Sequence, residues 1–331
     1  MENRFYIFNS GSLVRQDDSL VFKTKNTKSF LPIKQIESIY IYGNCNMNKQ
    51  VLLLLEEYNI CLYYFSYYGK YIGSFVPNKK LVGDVLIKQV KTFDDFNSKL
   101  QIHKEILLSS IHNMIFVLKY YEKKRSEEYK EIKEIEKNYY IIKNLKNDVN
   151  NYNIYMSIEA KIKKIYYSLY NRIINNKDFE FVKRSSYPPQ DEINCLMSFG
   201  YSLLYGVCDS AIYHTSLCPS ISFIHGISKR NNGLSYDIAD IFKPIIVDRI
   251  IFRMINKNQI NKKDFNIKNG GVFMKKEIMK LFIKEFDNML ESTISVNNKK
   301  MSYRSIILQE FYNLEKSIRK EKLYKGFKMK L

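Results

Sequence analysis

The sequence predicts an α+β fold in which an N-terminal β-rich domain is followed by a larger all-α domain. At 331 residues the chain is long enough for two domains. Up to about residue 80, short segments of β-branched and aromatic residues alternate with turn residues, which is the pattern of strands and hairpins. From about Leu81 to the end, apolar residues recur at helical spacing instead. We therefore predict domains over residues 1–80 and 81–331.

The predicted β-rich domain consists of short strands and one helix. The helix spans residues 48–58 and places Val51, Leu54 and Leu55 on one face, so we expect it to cover a sheet. The aromatic residues of the strands favour a core or a dimer interface, and stacking on nucleic-acid bases is the alternative. The predicted strands are 5–8, 12–15, 20–23, 36–42, 60–65 and 71–75.

Polar segments punctuate the predicted helical domain. Residues 122–137 are nearly all charged with both signs mixed, which is typical of a solvated helix face or a connector. Residues 144–153 are polar, and we expect a loop there. The tail from Arg319 is basic and is either a disordered end or a phosphate-binding extension.

The charge balance is strongly basic. Lys and Arg number 53 against 34 Asp and Glu, which gives a formal net charge of +19. Such a surplus attracts polyanions such as nucleic acid or an anionic membrane surface. However, Lys, Asn, Ile and Tyr are all abundant and all favoured by A+T-rich codons, so charge alone does not identify the partner.

The cysteines and apolar runs predict a soluble, cytoplasmic protein. The five cysteines are odd in number and form no C-x-x-C pair, which is typical of a reduced intracellular chain. The N-terminal sequence MENRFYIFNSGS reaches a turn before any apolar signal region could form. The longest apolar runs, 51–55 and 60–65, are far below the roughly 20 residues that a membrane-spanning helix needs.

An acidic residue interrupts an apolar helical stripe that begins at Tyr155. Glu159 lies one turn after Tyr155 and falls inside the stripe. An acid on a buried face costs several kcal/mol unless it is paired or bound to a cation. An ion pair with Lys163 and a metal ion both satisfy this requirement. The triplet 159–161 also resembles the E-x-K of restriction-type nucleases, but that motif needs a strand and this segment is helical. The stripe continues through Ile158, Ile162, Ile165, Tyr166 and Leu169.

The stretch 221–248 brings an imidazole and two carboxylates near one point. Asp237 and Asp240 are three residues apart and project from a common side of a helix, shortly after His225. Imidazole and carboxylate oxygens suit Mn²⁺, and Mg²⁺ is tolerated when most ligands are oxygen. Pro244 should kink this helix near its middle. Its apolar stripe consists of Ile238, Ile241, Phe242 and Ile245.

Other interpretations of this stretch remain open from the residues alone. The basic loop with Lys229 and Arg230 could hold a phosphate. Alternatively, the histidine and the two acids merely cap and solvate a helix. An HD-type phosphohydrolase is disfavoured, because none of the four histidines is followed by Asp.

Several separated segments together resemble the CRISPR-associated endonuclease and integrase family of spacer acquisition, the Cas1 family. The match covers essentially the whole chain and keeps the family's order. It begins with YIFNSGSLVRQDDSLVF, LPIKQIESIYIYG and YYGKYIGSFVP in the β-rich part. It continues with MSIEAKIKKIYY, RSSYPPQDEINCLMSFGYSLLY, CPSISFIHG and YDIADIFKPIIVDRIIF. The fold that this resemblance implies, a β-domain followed by a helical catalytic domain, agrees with the change of periodicity.

The resemblance implies a metal site for Mg²⁺ or Mn²⁺. The family's ligand positions correspond here to Glu159, His225 and Asp240, and Asp237 matches an accessory acid. The triplet that ends in His225 has Ile224 where the family usually has Leu, and Asp240 stands where many relatives have Glu. Asp240 therefore reaches less far by one methylene, but Asp is an established variant at this position.

The resemblance also implies an activity and partners. A 3′-hydroxyl of spacer DNA would attack a phosphodiester of the CRISPR repeat, and water would replace it in endonucleolytic cleavage. Family members act as homodimers joined through their β-domains, in complex with a dimer of the small second adaptation protein, and not on membranes. The alternative is a non-catalytic, basic scaffold that binds nucleic acid. We expect Arg184, Lys229, Arg230 and Lys243 to position the double-stranded DNA.

Overall fold

A computed structural model describes residues 3–77, 82–146, 152–185, 187–226 and 232–330. The chain divides into two compact units, Met1–Lys80 and Leu81–Leu331. The first unit is rich in strands and the second in helices, so the predicted α+β class is confirmed. The unit boundary coincides with the predicted domain boundary, while the dimerisation and catalytic roles assigned to the two domains stay predictions.

The strands of the first unit form sheets with the orders β1-β5-β7-β8 and β4-β3-β2-β6. Helix α1 begins after Asn48, whose side chain accepts a hydrogen bond from the Val51 amide. Its buried face, which includes Leu54, packs into the core of the unit. The elements are β1 (Asn3–Ile7), β2 (Gly11–Gln16), β3 (Ser19–Lys23), β4 (Lys28–Leu31), β5 (Ile36–Ile41), β6 (Cys45–Asn46), α1 (Lys49–Glu57), β7 (Cys61–Phe65) and β8 (Tyr71–Phe75).

The pairing of these strands differs in part from the predicted hairpins. β2 pairs with β3, β3 with β4 and β7 with β8 in antiparallel fashion. However, β1 pairs with β5 in parallel, and β5 pairs with β7 in parallel. The turn at 9–11 therefore connects two sheets instead of closing a hairpin. Strands β4 and β6 were not predicted, because one is only four and the other only two residues long.

Aromatic side chains of the first sheet pack against one another. Tyr40 lies 5.0 Å from Tyr6 and 5.1 Å from Tyr63 between ring centroids, and Tyr40 and Tyr63 are buried. These rings therefore belong to the core, as predicted in preference to base stacking. Phe30 and Ile72 are exposed on the same unit.

The second unit is mainly helical. Its helices are α2 (Gly83–Asp94), α3 (Phe96–Arg125), α4 (Glu131–Asn144), α5 (Tyr152–Ser168), α6 (Tyr170–Ile173), α7 (Glu192–Tyr213), α8 (Gly233–Phe242), α9 (Arg249–Asn256), α10 (Lys276–Glu291) and α11 (Tyr303–Ile318). It also contains hairpins that were not predicted, so it is not purely α. The hairpin strands are β9 (Phe265–Lys268), β10 (Gly271–Met274), β11 (Thr293–Val296) and β12 (Lys299–Ser302).

Two predicted polar segments adopt more definite structures. The charged segment 122–137 contains the end of α3, a turn through Ser126 at φ 53°, and the start of α4. Of the predicted loop at 144–153, residues 147–151 lie outside the described residues, Asn144 ends α4 and Tyr152 begins α5. The basic tail packs against the unit along 323–330, where Tyr324 is 1% exposed, so the prediction of a disordered end is wrong.

Helix α7 runs through the core of the second unit. It is long and apolar enough to span a membrane by composition alone, but 78% of its most apolar stretch is buried within the protein. Burial of this kind is expected of a central core helix.

Candidate active site

Helices α5 and α8 place two of the predicted ligands beside one cation. The Lys163 ammonium nitrogen lies 2.5 Å from Glu159 Oε1 and 3.6 Å from Asp240 Oδ2. The side chains of Glu159 and Asp240 are only 13% and 10% exposed. The apolar stripe of α8 is buried and that of α5 is buried in part, so these polar residues meet at the edge of the core. Residues that are distant in sequence thus share a single positive charge.

A second ammonium group completes the neutralisation of Asp240. Lys243 forms an ion pair with Asp240 Oδ1 one helical turn further on. Burial of Asp240 favours its neutral form, but Lys243 and Lys163 outweigh burial and hold the pKa of Asp240 below its ordinary value. Burial likewise opposes ionisation of Lys163, but Asp240 and Glu159 raise its pKa above the ordinary value. The shifts of Asp240, Lys163 and Lys243 thus all favour the charged forms.

Asp237 organises the loop that carries His225. It is fully buried, and its carboxylate accepts hydrogen bonds from the backbone amides of Phe223 at 2.6 Å, Ile224 at 3.1 Å and His225 at 3.1 Å. The same carboxylate lies 2.7 Å from His225 Nδ1. Because a carboxylate only accepts hydrogen bonds, Nδ1 carries the proton of this contact, and Nε2 is the ring nitrogen that Asp237 does not contact. Asp237 therefore orients the histidine.

Glu159, Asp240 and His225 offer carboxylate oxygens and an imidazole nitrogen, which are the donor types that Mg²⁺ and Mn²⁺ accept. Within the described ranges, no three His, Cys, Asp or Glu side chains already surround one point as metal ligands. Instead, Glu159 and Asp240 converge on the Lys163 ammonium, which stands where a cation is needed. The structure thus brings Glu159 and Asp240 together, while the convergence of His225 on the same point stays a prediction.

A cavity of about 150 Å³ opens beside Asp240 and is called here the basic cavity. Its basic lining residues are Lys163, Arg184 and Lys243, and Asp240 and Asp248 are its acids. Ammonium and guanidinium groups around a small cavity suit a phosphate. The remaining lining residues are Ser110, Met114, Tyr166, Tyr167, Tyr201, Tyr205 and Pro244.

The residues predicted to bind DNA divide into two groups. Arg184 donates to Asn194 Oδ1 at 2.9 Å and to Ser198 Oγ at 3.2 Å, and Lys243 is paired with Asp240. Both line the basic cavity, so both are placed to meet a phosphate there. Lys229 and Arg230 lie outside the described residues. DNA contact by all four residues stays a prediction.

Asp248 is an acid in this region that was not singled out from the sequence. It is buried and accepts hydrogen bonds from the hydroxyls of Tyr166 and Tyr201, each at 2.9 Å. Burial raises the pKa of Asp248 to about 6, although these hydroxyls and Lys243 act in the opposite direction. The signal was an acid within the apolar run PIIVDRIIF.

The start of α8 is anchored by another unpredicted acid, Asp209. This partly buried carboxylate on α7 accepts hydrogen bonds from Ser235 Oγ and, at 2.9 Å, from Asn232 Nδ2. Burial raises the pKa of Asp209 to about 7. At the other end, the predicted kink at Pro244 is a widening into a π-helical segment, Pro244–Asp248, that leads directly into α9. Asp209 thus anchors the first turn of the helix that carries Asp237 and Asp240, and the π-helical segment connects its last turn to α9.

Comparison with known proteins gives the same family throughout. Residues 5–288 match the family CRISPR associated protein Cas1. A relative named CRISPR-associated endonuclease Cas1 2, from Thermodesulfovibrio yellowstonii, is 36% identical over 330 residues, which cover 99% of each chain. The structure of a CAS1 protein from Thermotoga maritima aligns with a TM-score of 0.87 at 29% identity, over 98% of this chain and 100% of that one.

Two more distant structures share the fold. A casposase bound to integration product aligns with a TM-score of 0.86 at 20% identity, over 98% of this chain and 92% of that one. A Cas6-RT-Cas1–Cas2 complex aligns with a TM-score of 0.84 at 17% identity, over 99% of this chain and 36% of the longer one. At these identities the likeness shows the fold alone.

Proposed function

Because the chain belongs to the Cas1 family of CRISPR-associated proteins, we propose that it is a metal-dependent DNA endonuclease and integrase of CRISPR adaptation. It inserts spacer DNA into the CRISPR array by attack of a DNA 3′-hydroxyl on a phosphodiester. The observation that carries this proposal is the pair Glu159 and Asp240, which shares the ammonium group of Lys163, and Lys163 and Asp240 line the basic cavity.

The proposed chemistry assigns a role to each residue of the site. Glu159, Asp240 and Nε2 of His225 would hold Mg²⁺ or Mn²⁺, which when bound polarises the scissile phosphodiester and stabilises charge on the leaving oxygen. Asp237 keeps the His225 ring in the tautomer that a ligand needs. Lys243, which is already ionised and lines the basic cavity, neutralises a phosphate oxygen.

The proposed partners follow from the surfaces and the family. Arg184 and Lys243 bind the backbone of double-stranded DNA, both of the spacer precursor and of the repeat, without reading its sequence. The exposed Phe30 and Ile72 of the first unit contribute to a homodimer contact. A dimer of the second adaptation protein, Cas2, joins two such homodimers. We place the assembly in the cytoplasm, consistent with free thiols at the cysteines within the described residues.

A second candidate function is a non-catalytic, basic nucleic-acid-binding scaffold. The observation in its favour is that Lys163 and Lys243 already compensate Glu159 and Asp240. The carboxylates are therefore satisfied within the protein and need no metal ion for the fold.

One mutation separates the two functions. His225→Ala should abolish strand joining and cleavage in Mn²⁺, because one ligand is lost, while DNA affinity and its salt dependence stay nearly unchanged. The measurement is a strand-transfer assay with Mn²⁺ and with chelator, alongside DNA binding at several salt concentrations. His214→Ala is the matched control, since His214 is exposed at the end of α7. Equal activity of wild type and His225→Ala in Mn²⁺ would refute the site.

A further inference from the structure

The C-terminal segment 323–330 is extended and has no regular secondary structure, yet it is firmly docked on the second unit. The Tyr324 hydroxyl donates a hydrogen bond to Glu310 Oε1 at 2.5 Å, and Gln101 Nε2 donates to the Tyr324 carbonyl at 3.1 Å. A Cβ on Gly326 would lie 3.2 Å from the Glu105 carbonyl oxygen and closer still to Ser109 Oγ. The segment therefore follows the surface of α3 at backbone contact distance.

The buried side chain of Asn113 connects this segment to helix α8. Asn113 Nδ2 donates to the Ile241 carbonyl at 2.8 Å and to the Phe327 carbonyl at 3.3 Å. Asn113 Oδ1 accepts from the Met329 amide at 2.9 Å. The side-chain amide of Asn113 thus uses both its hydrogens and its oxygen to join α3 to the tail and to the backbone of Ile241, the residue after Asp240. Loss of the tail would leave Asn113 with buried, unpaired polar groups.

An aromatic contact reinforces the same connection. The rings of Phe327 and Phe242 stack with centroids 5.8 Å apart and an interplanar angle of 10°. Phe242 is the last residue of α8, two positions after Asp240 and one before Lys243. The Phe327 amide also donates to Glu310 Oε1 at 3.2 Å, which fixes the ring's backbone.

The supported turn of α8 is one that its own hydrogen bonding leaves weak. Pro244 has no N–H and cannot donate to the Asp240 carbonyl. The backbone hydrogen bonds of the helix then change from a spacing of four residues to five. The Asp248 amide donates to the Lys243 carbonyl, five residues back, at 3.1 Å. The turn that carries Asp240 and Lys243 therefore depends on contacts from outside the helix.

We propose that segment 323–330 is a positioning element that holds the Asp240–Lys243 turn of α8 in its reactive geometry through Asn113 and Phe327. The expected effect of the segment on catalysis rests on the function proposed above. The expected effect of the segment on the stability of α8 is independent of that function. A misplacement of about 1 Å at reacting groups costs up to about 100-fold in rate. Loss of the contacts of segment 323–330 should therefore lower turnover and leave DNA affinity unchanged.

The test compares Phe327→Ala with Lys325→Ala in the full chain. Phe327→Ala removes the ring stack, whereas Lys325→Ala removes one positive charge of the tail at an exposed position without touching these contacts. For Phe327→Ala we expect strand-joining kcat to fall by about 10- to 100-fold with unchanged DNA Kd. Hydrogen exchange of the amides of residues 239–243 should accelerate. Lys325→Ala should leave all three quantities at wild-type values.

A truncation with rescue makes the positioning role distinct from general stability. A chain ending at Glu321 should lose turnover and α8 protection, and a synthetic peptide of residues 322–331 should restore both with saturation. Weakened DNA binding with normal kcat and normal α8 exchange would overturn the proposal in favour of a phosphate-binding extension. Unchanged exchange in Phe327→Ala would overturn it as well. If wild type itself proves inactive, the exchange measurements still decide, so failure of the proposed function remains distinguishable.

Discussion

Asp240 and Asp248 are both buried on one continuous helical stretch, yet their environments differ in kind. Asp240 faces the ammonium groups of Lys163 and Lys243, and its pKa lies below the ordinary value despite burial. Asp248 faces the hydroxyls of Tyr166 and Tyr201, and burial raises its pKa to about 6. An acid balanced by ammonium groups carries the charge that a metal ion needs, whereas an acid held by neutral hydroxyls serves the structure.

The sharpest way to break this comparison is to neutralise each acid in turn. Asp240→Asn should lower metal-dependent strand joining by about 10³-fold, because a ligand and its charge are lost. Asp248→Asn keeps the size and hydrogen-bonding capacity of the side chain, and we expect activity within about tenfold of wild type. The measurement is single-turnover strand joining in Mn²⁺.

The control for this comparison is Asp240→Glu. It keeps the charge beside Lys163 and Lys243 and should retain most of the activity that Asp240→Asn loses. Thermal melts exclude unfolding as the cause. Equal losses in Asp240→Asn and Asp248→Asn would show that the two acids do not differ in role.

The contributions of Asp240 and Asp248 to the free energy of unfolding should change in opposite directions with pH. The pKa of Asp248 is about 6 in the folded protein and near 3.8 when unfolded, so the native state binds the extra proton. Its unfavourable contribution is absent below pH 4 and complete above pH 6. Relative to Asp248→Asn, wild type should therefore lose about 2 kcal/mol of unfolding free energy between pH 4 and 7. Urea denaturation at the two pH values measures this difference.

Other buried acids do not obscure that measurement. The pKa values of Asp209 and Glu310 are each raised to about 7 by burial, but both groups are present in wild type and in Asp248→Asn and cancel in the difference. Asp240, whose pKa is lowered, contributes stability that is lost only as the pH falls below about 4. A difference that grows toward low pH instead of neutral pH would contradict the assigned environment of Asp248.

The sequence predicted a site residue where an acid interrupts an apolar helical pattern. Glu159 was visible because an acid inside an apolar helical stripe needs a cation. The partner of that acid could not be fixed, since Lys163 and a metal ion satisfy it equally. Asp248 also interrupts an apolar run, but its tyrosine partners come from α5 and α7. No spacing within one helix reveals a contact between helices.

The fold was predicted in class and less well in pairing. The change from strand to helix periodicity identified both units, because periodicity is a local property. The parallel pairing of β1 with β5 joins segments some thirty residues apart, which turn residues do not encode. In the tail, the many lysines determine the composition, whereas Tyr324, Phe327 and Met329 determine the docking.

The central claim is that Glu159, Asp240 and His225 hold one divalent ion in the place that Lys163 takes between the two carboxylates. The most direct measurement is an anomalous difference map from a crystal soaked in Mn²⁺. The account predicts a peak at roughly 2.0 to 2.4 Å from an oxygen of each carboxylate and from Nε2 of His225, with the Lys163 ammonium displaced. A map without that peak, in which Lys163 still joins Glu159 and Asp240, would contradict it.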